Sequence, residues 1–280
     1  MKGSGLNPLK LILVLVLTIY SVVPVPSTTY AGEEKVNKRR PVVVLDQSHG
    51  QHFDFWGTRA LDLSGFRQEI EKAGAVTRVV RSGFSDENRL RGSSSVVISG
   101  AFVPLAKSEV QNLLKFVNSG GRLLILLHIG QPYYKLLDRL GISVSNGVIR
   151  ERQNVLGSGG LDFQVMDLSK MPLLKGLGHF SVYGCWALLP RGRDVVSIAR
   201  TSPAAWVDLN RNRRLDGHDV VRAFSVAVMA RMGKGEVIVF GDDAIFQNAF
   251  LRGRNLELLK RVANWLIGKR PFPQDLERYI

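Results

Sequence analysis

The chain has 280 residues, 45% of them hydrophobic and 22% charged, and carries a formal charge of +14. That length and apolar share exclude a disordered chain or a small cross-linked scaffold and leave room for one full-sized hydrophobic core. Cys185 is the only cysteine, which excludes an intramolecular disulfide and leaves stability to core packing or a metal.

Residues 1–31 read as a secretory signal peptide. Lys2 and Lys10, with no acid nearby, lead into an almost unbroken apolar run from Leu11 to Val23. The run is shorter than the roughly 20 residues of a spanning helix, and Pro24 and Pro26 close it. Thr29 and Ala31 put small residues at the two positions a signal peptidase reads, so cleavage is expected after Ala31, with an uncleaved anchor as the alternative. No cysteine follows, which argues against lipoprotein processing. The protein is therefore expected in the periplasm or outside the cell, membrane-anchored if the signal stays. Cleavage removes 31 of 280 residues, leaving 249, and the loss of Lys2 and Lys10 lowers the charge from +14 to +12. The basic excess is mostly arginine in groups such as Lys38-Arg39-Arg40 and Arg213-Arg214. Such a surface either solubilises the chain or meets an anionic membrane surface or acidic glycan; no nucleic acid is expected outside the cell.

Residues 32–40 form a polar linker. Val42-Val43-Val44-Leu45 is a β-branched run of the kind buried in a parallel sheet, and it ends in the polar loop Asp46–His52. A helix over 63–73 follows, with apolar residues at 63, 66 and 70 and Gly74 past its end, and then a strand over 76–80. Strand 95–99, helix 107–118, the stop Gly120-Gly121 and strand 122–127 repeat the unit. This alternation predicts an α/β fold with a doubly wound, mostly parallel sheet, whose ligands bind beyond the carboxyl ends of the strands. Glycine-rich loops and short apolar pieces over 141–203 read as a β-rich insertion. Strands 204–207, 221–232 and 236–240 and a helix over 255–267 complete the domain, expected over 41–268. Residues 269–280, with Pro271 and Pro273, form a C-terminal extension.

Four places carry chemistry. In the first loop, Asp46, His49, Gln51 and His52 could bind a metal or move protons; the alternative is that Asp46 caps a turn and His49 bonds the backbone. Gly241-Asp242-Asp243 ends the strand over 236–240. Were that strand beside the first, Asp46, His49 and Asp242 would meet, with His128 joining from the end of strand 122–127, as a cation site or an ordering polar network. In the third place, Asp208, Asn210, Asn212, Asp216 and Asp219 put oxygens at positions 1, 3, 5, 9 and 12 of a loop similar to a calcium-binding EF-hand loop. Leu215 at position 8 would anchor it to the core. Arg213 stands at position 6 instead of glycine, Asp219 at position 12 instead of glutamate, and no helix flanks the loop; the alternative is a basic hairpin turn rich in Asn and Asp. Finally, Cys185 lacks the Gly-x-Cys-x-Gly turn and following helix of a nucleophile elbow and reads as a buried small residue.

With these residues in view, the chain resembles the class I glutamine amidotransferase-like superfamily. Within it the likeness is to the non-catalytic branch found in gliding-motility and ABC-transport auxiliary proteins, intraflagellar-transport proteins and exported proteins with domain of unknown function 4350. The resemblance rests on Val43 to Gln51, on Gly120-Gly121-Arg122-Leu123-Leu124-Ile125, and on Gly235 to Asp242 followed by Asn255 and Asn264-Trp265-Leu266. It covers residues 41–140 and 234–267, and implies a flavodoxin-like α/β fold. Amidotransferases of that superfamily carry a cysteine after the third strand, where this chain has Ile98-Ser99-Gly100-Ala101-Phe102, so the resemblance argues against glutamine hydrolysis.

The expected function is a non-catalytic ligand-binding or scaffold module of the cell envelope, working through a cleft of Asp46, His49, Gln51, His128 and Asp242. A metal-dependent hydrolase on Asp46, His49, His128 and Asp242 is the first alternative, and a binder of acidic glycan or lipid through the basic surface is the second. Calcium, at Asp208–Asp219, is the one cofactor the residues suggest.

Overall fold

The computed structural model describes residues 40–210, 212–270 and 276, so the signal peptide, most of the linker and most of the C-terminal extension lie outside the described residues. The first half folds as two β-α-β units: β1 (Val42–Asp46), α1 (Ser64–Lys72), β2 (Val76–Val80), then β3 (Ser95–Ser99), α2 (Lys107–Asn118) and β4 (Arg122–Leu126). Because successive strand residues face opposite sides, Val43 and Leu45 enter one core while Val44 enters another. The first core holds Phe66 and Ile70 of α1 and, from α4 (Gly253–Leu266), Leu258, Val262 and Trp265. The second holds Val110, Leu113 and Val117 of α2. Helices thus cover both faces, which is why the strands between them are apolar on both sides.

After β4 come α3 (Tyr134–Arg139), which the sequence did not announce, and β5 (Ile142–Arg150), β6 (Asp162–Val165), β7 (Asp167–Leu168), β8 (Phe180–Tyr183), β9 (Trp186–Pro190) and β10 (Val195–Arg200). These strands fill the segment expected to be a β-rich insertion. β11 (Trp206–Val207), β12 (Val220–Val221), β13 (Ser225–Met232), β14 (Gly235–Phe240) and α4 finish the chain. The run 221–232 is therefore two strands. Between them the chain turns, with Arg222 N donating to Ala205 O and Phe224 N to the Thr201 hydroxyl.

The main sheet has twelve strands, ordered β12-β11-β5-β9-β13-β14-β4-β3-β1-β2, with β10 and β7 attached through β13. β14, β4, β3, β1 and β2 run parallel, and the other seven strands join through antiparallel pairs. The sheet is accordingly mixed rather than mostly parallel. Its direction changes at Gly233-Lys234, a two-residue connection that commits β13 and β14 to an antiparallel hairpin. Among the described residues no helix is long and apolar enough to cross a membrane.

Two features of this topology shape the functional surface. β3 and β4 lie between β1 and β14, so the carboxyl ends of β1 and β14 stand three strand spacings apart, about 14 Å. The expected neighbour relation of these two strands does not hold. Second, β14 ends where β9 crosses it: Trp186 N donates to Gly241 O at 2.7 Å, and a Cβ at residue 241 would lie 2.1 Å from Trp186 O and 2.8 Å from Cys185 Sγ. Backbone cannot yield there as a flexible side chain would. Gly241→Ala is therefore expected to lower unfolding stability by about 1–3 kcal/mol, as other overpacking does. Urea unfolding checks this, and an unchanged midpoint would show that the two strands do not approach so closely.

Candidate functional site

The β1 carboxyl end is a knot of buried charge. Asp46 is fully buried; its Oδ1 accepts from Ser48 N at 3.1 Å and from the Ser48 hydroxyl. Its Oδ2 accepts from Gln51 Nε2 at 2.6 Å and lies 2.7 Å from His49 Nδ1. On the far side of the ring, His49 Nε2 meets Glu109 Oε2 at 3.1 Å. Glu109 sits in the first turn of α2, where a carboxylate suits the helix N-terminus, and it also accepts from Ala106 N at 2.7 Å and Phe84 N at 2.8 Å. Phe84 stacks on the imidazole with centroids 6.1 Å apart.

Burial disfavours the charged imidazole, but Asp46 and then Glu109 outweigh it by hydrogen bonding and charge, raising the His49 pKa from 6.5 to about 9. Burial likewise acts against the Glu109 carboxylate, yet its two backbone amides and His49 hold it below its ordinary pKa. The ring is therefore an imidazolium at neutral pH, with each nitrogen donating to a carboxylate. It holds two loops together: the His49 carbonyl accepts from Phe102 N at 2.8 Å and Val103 N at 2.9 Å, while its ring reaches α2.

His128 joins a different acid from the one expected. Just beyond β4, and beside β14, its Nδ1 lies 3.1 Å from Asp243 Oδ1. Asp242 is instead turned inward, with Oδ2 accepting from Tyr183 N at 2.6 Å and Oδ1 from Ala244 N at 2.8 Å. Burial, and next the charge of Asp243, push the Asp242 carboxyl well above the usual range. The Asp243 hydrogen bond draws the His128 pKa up against burial, and burial raises Asp243 itself. Aromatic rings enclose the half-exposed His128: Phe102 at 5.1 Å and Phe53 at 5.2 Å, with His52 edge-on to Phe102 at 4.5 Å. Beside them a cavity of about 290 Å³ is lined by His52, Phe53, Arg59, Ala60 and Leu61.

Asp46, His49 and Gln51 thus come together, whereas His128 and Asp242 stand in other networks. Glu109 and Asp243 complete these networks, although the sequence singles out neither as a partner: Asp243 only adjoins Asp242, and Glu109 carries just the weak signal of an acid in a helix's first turn. Cys185 is fully buried, its thiol donates to Trp186 O, and burial pushes its pKa well up, so it is no nucleophile. Among the described residues no three His, Cys, Asp or Glu side chains converge as metal ligands. Asp208, Asn210, Asn212, Asp216 and Asp219 lie together in the β11–β12 hairpin loop, and Leu215 is 40% exposed there, so it does not anchor the loop to the core as expected.

The profile of the domain of unknown function DUF4350 matches residues 58–263. The chain belongs to that family. The match begins after the Asp46–His49 loop, so the buried ion knot falls partly outside it. No curated protein matches in sequence. In structure the chain is similar to the N-terminal domain of mmIFT52, at 15% identity and TM-score 0.64 over 80% of this chain and 97% of that one. It is also similar to the cytoplasmic protein STM1381 of Salmonella typhimurium LT2, at 12% identity and TM-score 0.52 over 81% and 99%. A ThuA-like protein from Bacteroides uniformis aligns at 14% identity and TM-score 0.46 over 82% and 94%. The first two likenesses concern the fold alone.

Folding raises the His49 pKa, so the native state holds this proton more tightly than the unfolded chain. The resulting stabilisation is complete below pH 6.5 and is lost as the pH climbs through about 9. Melting temperature is expected to fall across that window. His49→Ala should remove the slope and cost about 3–5 kcal/mol, because it leaves Asp46 and Glu109 buried without their partner. Thermal melts of both proteins from pH 6 to 10 check this.

Proposed function

We propose that the chain is a non-catalytic binding module of glutamine amidotransferase-like, flavodoxin-like architecture that recognises a glycan at the carboxyl edge of its parallel strands. One observation carries the reading: His49 and Asp242, two of the groups that would do acid–base work, are spent on holding the local structure together. Both His49 nitrogens face carboxylates, and both Asp242 oxygens accept backbone amides. A general base needs a free lone pair near neutrality, which an imidazolium with a pKa of about 9 does not offer.

What the edge leaves accessible suits recognition. Phe53 supplies an apolar ring and His52 and Arg59 supply polar edges to the 290 Å³ cavity, and Phe102 and His128 adjoin these residues through ring contacts. Ligand sites in open α/β sheets lie at this end of the strands. Flat rings with hydrogen-bonding groups at their margins match a sugar, whose two faces are apolar and whose rim is hydroxylated. The separation of β1 from β14 weighs against the hydrolase alternative, which needs Asp46, His49, His128 and Asp242 in one cluster. Export belongs to the same proposal and rests on the sequence of residues 1–31.

Nuclear magnetic resonance of the full chain, titrated with a neutral disaccharide and a uronic-acid disaccharide, tests this. At least one sugar is expected to move the ring signals of His52, Phe102 and His128, and Phe102→Ala should weaken that binding about tenfold, in line with the loss of one stacked ring. Turnover of a chromogenic ester, phosphate or glycoside that His128→Ala abolishes would contradict the proposal, as would ring signals that neither sugar moves.

A further inference from the structure

The loop from Asp208 to Asp219 is closed by only two residue pairs, Trp206 with Val221 and Val207 with Val220. It carries three carboxylates, Asp208, Asp216 and Asp219, which do not converge on one point in this conformation. All three hold backbone amides: Asp208 Oδ2 accepts from Arg213 N at 2.8 Å, and Asp219 accepts from Leu209 N and Asp216 N, each at 3.0 Å. The third, Asp216, takes the amides of Asn210 at 3.0 Å and Asn212 at 2.6 Å on Oδ2, and His218 N on Oδ1 at 2.8 Å.

One acceptor is left over. Asp208 is 6% exposed, and its Oδ1 is buried with no hydrogen-bond partner among the described residues. A buried carboxylate oxygen in that condition is costly unless positive charge reaches it. Arg150 borders the same cavity as Asp208, yet its guanidinium lies over the Trp206 ring at 5.7 Å and donates to Gly159 O. Oδ2 is tied to the sixth residue of the loop, so the free oxygen, on the same carboxylate, stands beside the loop backbone.

We propose that this loop is a calcium site, with Asp208 Oδ1 as its first ligand. Asn210, Asn212, Asp216 and Asp219 supply the further side-chain oxygens at the third, fifth, ninth and twelfth places, and the Arg214 carbonyl supplies one at the seventh. Six oxygens from a pliable loop suit calcium, which accepts 6–8 at 2.3–2.6 Å in loose geometry; magnesium demands a near-ideal octahedron and keeps its water. The backbone already makes the bend that the sequence argued against. Arg213, at the place usually held by glycine, has φ +64°, the left-handed conformation glycine is used for. Each Asn Oδ1 accepts one backbone amide and keeps a second lone pair for the ion.

The departures set the strength. Asp219 is shorter than glutamate, and Arg213 and Arg214 offset the acids, which places the site in the weak class of Kd about 10⁻⁴ to 10⁻³ M. The loop lies at the β12 edge, at the other end of the strand order from β2, so the proposal stands apart from the glycan reading.

Thermal unfolding of the full chain in 10 mM calcium, in 10 mM magnesium and in chelator tests it. Calcium is expected to raise the Tm by about 3–10 °C and magnesium by clearly less, with one calcium bound per chain at equilibrium dialysis. D208N removes the unpartnered charge, so in chelator it should melt at or above the wild type, while its calcium shift disappears. D216N, which alters a more exposed acid of the loop, should lose the shift as well and serves if D208N does not fold. A wild type that calcium does not stabilise, an equal shift with magnesium, or a calcium shift that survives these substitutions overturns the proposal.

Discussion

A buried imidazolium between two carboxylates is the constraint on which the functional end of this molecule depends. Asp46 closes β1, His49 stands three residues on, and Glu109 opens α2, so one charged ring joins the first strand's loop to the helix that follows β3. Without its proton the ring would leave two carboxylates facing each other in the protein interior, which costs more than either attraction returns. The ring's own backbone extends the restraint, because its carbonyl holds Phe102 N and Val103 N. Phe102, whose ring borders His128, is thus positioned through its backbone by His49.

Topology decides which polar groups can cooperate. In this sheet β1 lies beside β3, and β14 beside β4, so the carboxyl edge carries two separate hydrogen-bond networks instead of one cluster. Asp46, His49 and Glu109 form the inner one; His128 and Asp243 form the outer, more exposed one. Asp242 belongs to neither, being turned back to cap the chain at Tyr183 and Ala244. A strand order with β1 next to β14 would have produced a different chemistry from the same residues.

The elements legible in the sequence are those whose pattern is set locally. Strands Val76–Val80 and Ser95–Ser99 and helix Lys107–Asn118 fall where apolar spacing and the glycine stops place them. The break between β12 and β13 was not legible, because Thr201 and Ala205, far away in sequence, supply the partners that turn the chain there. The short helix Tyr134–Arg139 has too few turns to show a period. At the site, Asp46, His49 and Gln51 were legible as one loop, since they interact within five residues. Glu109, sixty residues from His49, became visible only once the sheet had brought α2 alongside. The calcium-like spacing was legible too, although the bend at Arg213 depends on backbone geometry that residue type argued against.

The functional end of the molecule depends on the protonation of one ring. Nitrogen-15 magnetic resonance of the His49 imidazole, followed from pH 6 to 10, measures it directly. Both ring nitrogens are predicted to remain protonated at pH 7.5 and to titrate at about 9. A ring that is neutral at pH 7.5 and titrates near 6.5 would contradict the buried ion knot and return His49 to the pool of candidate bases.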